Sequence, residues 1–404
     1  MHSSPFKLAI LTTHPIQYQV PWFRRLAQQP DLDLTVFFCQ IPDAQVQGDG
    51  FGVAFQWDVP LLDGYRHVVL RNVARAPSVT RFGGCDTPEI AARIRDGGFD
   101  ALVVNGWVVR SCLQALFACR RHGVPCIVRG ESNTMRRRPW HKRLVHRWLL
   151  RQYAAFLAIG KSNEAFYRRH GVPAEHIFRT PYCVENERFA EAAGAFRTAR
   201  DAHRAAWGIP ADACVFLFCG KLIPKKRPAD LLEALDRLIS GAAPLSSAVH
   251  ALIAGDGDLR TALARSAQER RLPVSFAGFL NQRELPKAYA VSDCLVLPSD
   301  DGETWGLVVN EAMACGLPAV VSDRVGCHPD LVAPGKTGTV FPCGDVAALA
   351  DALRGIAQSS GKRRALGQNA NALVCGAFNY DAVAAGTLDA VRYVTRRRGK
   401  AAGG

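Results

Sequence analysis

Ten short, continuously apolar runs constrain this chain more than any other feature. They are Leu8–Thr12, Leu34–Cys39, Ala101–Asn105, Cys126–Arg129 and Phe156–Ile159, then Val215–Cys219, Ala251–Ala254, Val274–Ala277, Cys294–Leu297 and Ala319–Ser322. Amphipathic stretches of helical period fill most of the gaps. A strand with no polar alternate has both faces buried, so it belongs to a parallel sheet covered by helices on either side. The two series are divided by an Ala/Arg-rich helical stretch near residues 190–208. The pattern predicts an α/β chain of two doubly wound, Rossmann-like domains. A length of 404 residues, 48% of them hydrophobic, suits two cores of roughly 150–200 residues each. The expected boundaries are 1–190, a linker over 191–210, a second domain over 211–378, and a closing segment over 379–404. In that segment a helix, Asp381 to Val394, crosses back to the first domain and a basic tail frays.

Composition narrows the partners. The formal net charge is +14, which favours anionic ones: phosphorylated small molecules, anionic lipid or nucleic acid. No recognised nucleic-acid motif is present, so a nucleic-acid role rests on charge alone. No apolar run approaches the ~18–20 residues that cross a bilayer. Met1 leads almost directly into the first strand without a signal-peptide pattern, which predicts a cytoplasmic protein, at most peripheral on the inner face of the membrane. The 13 cysteines include no C-x-x-C pair, and Cys112, Cys119 and Cys126 recur every seven residues. That is not zinc-ligand spacing, and small buried hydrophobes are the expectation.

Ligands of doubly wound sheets bind beyond the carboxyl ends of the strands, and the informative residues fall there. The most informative run is Gly302-Glu-Thr-Trp-Gly-Leu-Val-Val-Asn-Glu-Ala-Met-Ala-Cys-Gly316. Glu311 lies in an apolar helix, where a carboxylate must find a partner or give up its charge. Glu303 sits just before the helix mouth. Gly306 and Leu307 open that helix, whose unpaired N–H groups and positive dipole end can hold a phosphate. Gly316 closes it. After another strand come Gly220-Lys221-Leu-Ile-Pro-Lys225-Lys226-Arg227, cations able to neutralise a diphosphate leaving group, though a solvated basic loop has the same composition. The P-loop pattern is missing. Asp256, Asp258, Asp300 and Asp301 are scattered through turns, and no metal site is expected.

From Phe216 to Val383 these segments, with Ile253-Ala-Gly-Asp-Gly-Asp258 and Val274-Ser-Phe-Ala-Gly-Phe-Leu280, resemble glycosyltransferase family 4, retaining enzymes of the GT-B fold. The resemblance implies two Rossmann-like domains facing each other across a cleft. It implies sugar transfer from a nucleotide-diphosphate donor to an acceptor hydroxyl, without metal or other cofactor, in cell-envelope polysaccharide or glycolipid synthesis. Glu303 matches the acid that contacts the donor sugar, and Glu311 the acid that accepts from the ribose. Lys221 and Lys226 match the diphosphate-holding cations, Lys221 standing where the family usually has arginine and so lacking its planar fork. Gly306 and Leu307 would donate backbone N–H groups to phosphate, Gly220 would line the donor site, and Leu280 would lie near the base. In the first half, His14, Gln17 and Glu131 are candidates for sugar or acceptor contact, with a saccharide or lipid-linked acceptor. His14 reads equally as a general base or a structural histidine. The alternatives are a non-catalytic sugar-nucleotide-binding partner subunit and a GT-B nucleotide-sugar epimerase.

One stretch stands apart. From Thr134 to Tyr153 a basic, tryptophan-containing segment places Trp140, Leu144 and Trp148, with Val145 and Leu149, on one face of a helix starting near Pro139. Either that face packs on the sheet and the basic face is solvated, or the helix docks on an anionic membrane, where each nearby cation adds ~1 kcal/mol.

Overall fold

The structure is a computed structural model that describes residues 4–48, 50–136, 138–241 and 245–402. Its contacts divide the chain into two units. One comprises residues 1–42, 60–182 and 380–404, the other residues 43–59 and 183–379.

The first unit holds seven strands: β1 (Phe6–Thr12), β2 (Leu32–Phe38), β3 (His67–Val69), β4 (Ala101–Val104), β5 (Cys126–Val128), β6 (Ala155–Ala158) and β7 (Ile177–Arg179). Their order across the sheet is β3-β2-β1-β4-β5-β6-β7, with every pairing parallel. The second unit holds β8 (Cys214–Cys219), β9 (Val249–Ala254), β10 (Val274–Gly278), β11 (Cys294–Leu297), β12 (Ala319–Ser322) and β13 (Gly338–Phe341). Their order is β10-β9-β8-β11-β12-β13, again all parallel. Each unit is doubly wound, the Rossmann-like half of a GT-B chain.

The central strands are buried along their length, as their apolar runs require. β3, β7 and β13 are not legible as such runs. They sit at sheet edges and are only partly buried, so selection for continuous apolar side chains is relaxed. All cysteines are free, and all but Cys343 and Cys375 are buried. No group of three or more His, Cys, Asp or Glu is arranged to hold a metal among the described residues.

Three expectations are corrected. Residues 191–210 are not a linker: helices Asn186–Arg197 and Arg200–Ala206 occupy them within the second unit. Their arginines cap other helices. Arg197 donates to the Cys315 carbonyl, and the buried Arg204 donates to Val291 O at 2.8 Å and to Asp293 Oδ2 at 2.9 Å. A cation at a helix C-terminus meets unpaired carbonyls and the negative dipole end. Residues 43–59, placed in the first domain from sequence, group with the second unit. The closing helix is longer than expected, Tyr380–Ala402, so the basic tail is helical as far as Ala402. It packs within the first unit, where Tyr380 donates to Tyr18 O at 3.0 Å. The last two residues of the tail lie outside the described ones.

Candidate functional site

The strand order reverses between β8 and β11 in the second sheet. The loops leaving those two strands therefore diverge, one over each face, and leave a crevice at their carboxyl ends. The β8 loop carries Gly220 to Arg227 and the β11 loop carries Ser299 to Glu303. Lys226 Nζ and Glu303 Oε2 form an ion pair across this crevice, with side chains 13% and 12% exposed. Ser299 Oγ donates to the same carboxylate oxygen at 3.3 Å. The β11 loop is pinned at both ends. Asp300 N–H donates to Lys225 O at 2.9 Å and Gly326 N–H donates to Glu303 O at 3.0 Å.

Helix Leu307–Ala314 starts four residues after Glu303, with Gly306 as N-cap. Gly306 has φ +99°, and a Cβ there would come within 3.0 Å of Leu297 Cδ2 and 3.1 Å of Val325 Cγ1. Lacking a side chain, Gly306 offers no side-chain cap; Val309 N–H donates to Gly306 O at 2.9 Å, and the N–H groups of Leu307 and Val308 are the ones placed to meet an anion. One turn on, Glu311 is buried and accepts from Tyr289 OH at 2.5 Å. Burial raises its carboxyl to about 7, while the Tyr289 hydrogen bond and the charges of Arg188 and Lys226 act the other way. Near neutrality Glu311 is thus poised between a donor and an acceptor state.

Two neighbouring loops interlock beneath this crevice. Gly220 N–H donates to Ala254 O at 2.9 Å, and Leu222 N–H donates to Asp256 O at 2.8 Å. Gly255, at φ +144°, passes so close that a Cβ would lie 1.9 Å from Gly220 O. Asp256 and Asp300 close their own turns, each accepting a backbone N–H through Oδ1.

Lys221 sits apart from the ion pair's direct contacts, with Nζ 4.6 Å from the centre of the Phe51 ring. Phe51 belongs to the 43–59 segment. That segment also stacks Phe51 and Phe55 on Phe279, at 5.1 and 4.3 Å between ring centres. It is tied down where Asn281 Nδ2 donates to Gln56 O at 2.7 Å and Arg283 N–H donates to Asp58 Oδ2 at 3.1 Å. The turn that carries Leu280 is therefore covered by aromatics from the first half of the sequence. Sequence reasoning missed this segment, although three aromatics between residues 51 and 57 inside a long strandless connection are a usable signal. It also missed Tyr289 and Arg188, ordinary helical residues until the fold turns them toward Glu311.

The first sheet has the same reversal, between β1 and β4. The β1 loop carries His14 and Gln17. His14 Nδ1 lies 2.9 Å from Thr13 Oγ1, and burial lowers the imidazole to about 4, so it is neutral at pH 7. Gln17 Oε1 is buried without a hydrogen-bond partner among the described residues. Glu131, beyond β5, accepts from Tyr182 OH, and the Tyr182 ring meets Tyr18 edge-on at 5.6 Å. Arg129 lies between the rings of Trp22 and Tyr182, at 4.7 and 4.5 Å. Glu131 and the loop bearing Gln17 are thus connected through two tyrosines.

Both halves of the chain match known sequence families. The pattern of the glycosyl transferases group 1 matches residues 199–373, and that of the glycosyl transferase 4-like domain matches residues 24–183. Together they account for most of the chain, which belongs to the family-4 type of group 1 glycosyltransferases. A D-inositol 3-phosphate glycosyltransferase of Streptomyces bingchenggensis is 32% identical over 230 residues, 55% of this chain and 49% of that protein. The chain spans about half the length of the curated relatives it matches. Among solved structures, Anabaena HepE in complex with UDP and glucose superposes with a TM-score of 0.70 at 16% identity, over 96% of this chain and 100% of that one. A glycosyltransferase from Rickettsia africae gives 0.73 at 11% identity, over 97% and 99%. At such identities the likeness is one of fold.

Proposed function

We propose that the protein moves a sugar from a nucleotide-diphosphate donor to an acceptor hydroxyl with retention of anomeric configuration, in cell-envelope polysaccharide or glycolipid synthesis. The observation that carries this reading is the Lys226–Glu303 pair at the β8/β11 reversal, beside the uncapped start of helix Leu307–Ala314. Departure of a nucleoside diphosphate puts negative charge on its outer phosphate. Lys226, Lys221 and the N–H groups after Gly306 supply positive potential for that charge, already oriented before the bond breaks. Glu303 accepts hydrogen bonds from the donor sugar's hydroxyls. Glu311, one turn deeper, accepts from the ribose diol, while Gly220 and Leu280 border phosphate and base. Lys221 must exchange its Phe51 contact for phosphate, a swap that a charged ligand favours over a ring face.

The chemistry needs no metal or other cofactor in this proposal, because the cations and the helix end serve that electrostatic role. Retention is assigned to front-face attack, in which the leaving phosphate accepts the acceptor's proton. His14, Gln17 and Glu131 are assigned to a saccharide or lipid-linked acceptor. The D-inositol 3-phosphate glycosyltransferases among its relatives make an inositol phosphate the first acceptor to try, and the UDP and glucose bound to HepE make UDP-glucose the first donor.

Thermal stabilisation by a panel of UDP-, GDP- and ADP-sugars tests the donor, since tight binding raises the melting temperature by mass action. Transfer or slow donor hydrolysis, lost in Glu303→Gln, tests catalysis. Stabilisation by a donor with neither activity, across a set of acceptors, would identify a binding subunit instead.

A further inference from the structure

Helix Trp140–Leu150 turns its largest apolar side chains toward solvent, contrary to the first of the two alternatives, in which that face packs on the sheet. Its inner face is made by His146, Leu149 and Leu150. The His146 ring lies 5.9 Å from Trp107, 5.5 Å from Phe166 and 5.7 Å from His170. Trp140, Leu144 and Trp148, four residues apart, line the opposite side. They are 71%, 57% and 56% exposed, and Val145 at the edge of the stripe is 59% exposed. No other tryptophan among the described residues is exposed.

The stripe has a cationic frame. Arg143, Arg147 and Arg151 project along one flank, Lys142 lies beyond the other edge, and His141 falls between Trp148 and Val145, all exposed. Arg136, also exposed, precedes the helix. From Ser132 to Asn163 the sequence contains no aspartate or glutamate, so no acid of this stretch offsets the cations of the helix. An exposed ridge of tryptophan and leucine bordered by arginine suits the plane where acyl chains meet phosphate headgroups. A second copy of the same face would set like charges against each other, which disfavours a contact between copies.

We propose that this face docks the protein on an anionic lipid bilayer, with Trp140, Leu144 and Trp148 at the acyl boundary and the arginines at the phosphates. The proposal is independent of glycosyl transfer, because docking requires no turnover. No helix among the described residues is long and apolar enough to cross a membrane, so attachment through this helix is interfacial and reversible.

Vesicle flotation of the full chain tests it. With vesicles of phosphatidylcholine containing about 30 mol % phosphatidylglycerol, the protein floats at least about tenfold more than with phosphatidylcholine alone. About 0.5 M salt removes most of that difference. Trp140→Ser with Trp148→Ser, and separately Arg143→Gln with Arg147→Gln and Arg151→Gln, each lower flotation about tenfold. Circular dichroism and melting temperature stay unchanged, because these side chains are exposed. Ile239→Ser, which removes an exposed hydrophobe of the second unit, leaves flotation intact. Absence of flotation, equal flotation on neutral vesicles, or wild-type flotation by both variant sets overturns the proposal. So does a lipid-free dimer that the tryptophan variants dissociate, which would make the face a contact between copies.

Discussion

The two sheets reverse their strand order at equivalent places, yet the loops there carry different chemistry. At β8/β11 a lysine and a carboxylate face each other beside a helix start. At β1/β4 and its surroundings the groups are a neutral histidine, amides, and an arginine and a glutamate held by aromatic side chains. Topology determines where a ligand can be reached. The residues on the loops determine whether the place stabilises developing charge or recognises neutral hydroxyls.

The largest expected effect breaks this contrast at its charged end. Lys226→Met and Glu303→Gln each lower transfer at least about 10²-fold, while Tyr182→Phe, which removes one hydrogen bond from Glu131 beyond β5, costs no more than about tenfold. Lys226→Met also leaves a largely buried carboxylate unpaired and destabilises the protein by roughly 3 kcal/mol. The double variant recovers that stability in urea unfolding but not activity. Equal kinetic losses at the two reversals would show that the division of labour is misread.

Backbone closeness gives the next effect. Gly255→Ala forces a methyl group into the Gly220 carbonyl and costs more than about 3 kcal/mol, whereas Gly306→Ala, with only side chains to displace, costs roughly 1–3 kcal/mol. Thermal melts of the two variants with and without nucleotide separate them. Only Gly306→Ala is expected to lose a larger share of the ligand-induced shift than its stability loss accounts for.

A smaller effect depends on pH. The native Glu311 carboxyl, raised to about 7 from an ordinary 4.5, binds more protons than the unfolded chain between those values. Its contribution to stability is therefore greatest below 4.5 and declines as pH rises through 7. Glu311→Gln keeps an acceptor for Tyr289 and melts higher than wild type at pH 8, with the gain gone by pH 5. Nucleotide affinity in the wild type should rise from pH 6 to pH 8, because a ribose diol donates to the ionised form. A flat profile, or one unchanged in the variant, would remove Glu311 from ribose recognition.

The smallest effect sharpens the comparison between units. Burial lowers His14 and His146 in the first unit and His250 in the second to about 4. A histidine lowered from about 6.5 stabilises fully above that value and progressively less as pH falls toward 4. Hydrogen exchange followed from pH 6.5 down to pH 4.5 should show the first unit losing protection before the second.

Much of this was legible in the sequence, for identifiable reasons. The central strands announce themselves because a strand buried on both faces has no room for polar residues. Glu303, Lys226 and Gly306 stand out because each occupies a strand end or helix mouth that the pattern alone locates, and Glu311 because it is a carboxylate inside an apolar helix. Of the four edge strands, β10 was legible although half-buried throughout, whereas β3, β7 and β13, at three, three and four residues and only partly buried, are too short to show a pattern. Nor was the docking of Phe51 and Phe55 on Phe279, which joins residues more than 200 positions apart.

The sequence by itself determined two parallel sheets, the order of their loops and the residue types those loops present, because local periodicity and burial on both faces leave few other solutions. Tertiary structure alone decided that Lys226 pairs with Glu303, that burial raises the Glu311 carboxyl to about 7 while Tyr289 donates to it, and that the tryptophans of helix Trp140–Leu150 face outward. Each of those depends on which side of an element meets its neighbour. The amphipathic period of a helix sets that two faces exist, and only the packing of distant segments settles which one is buried.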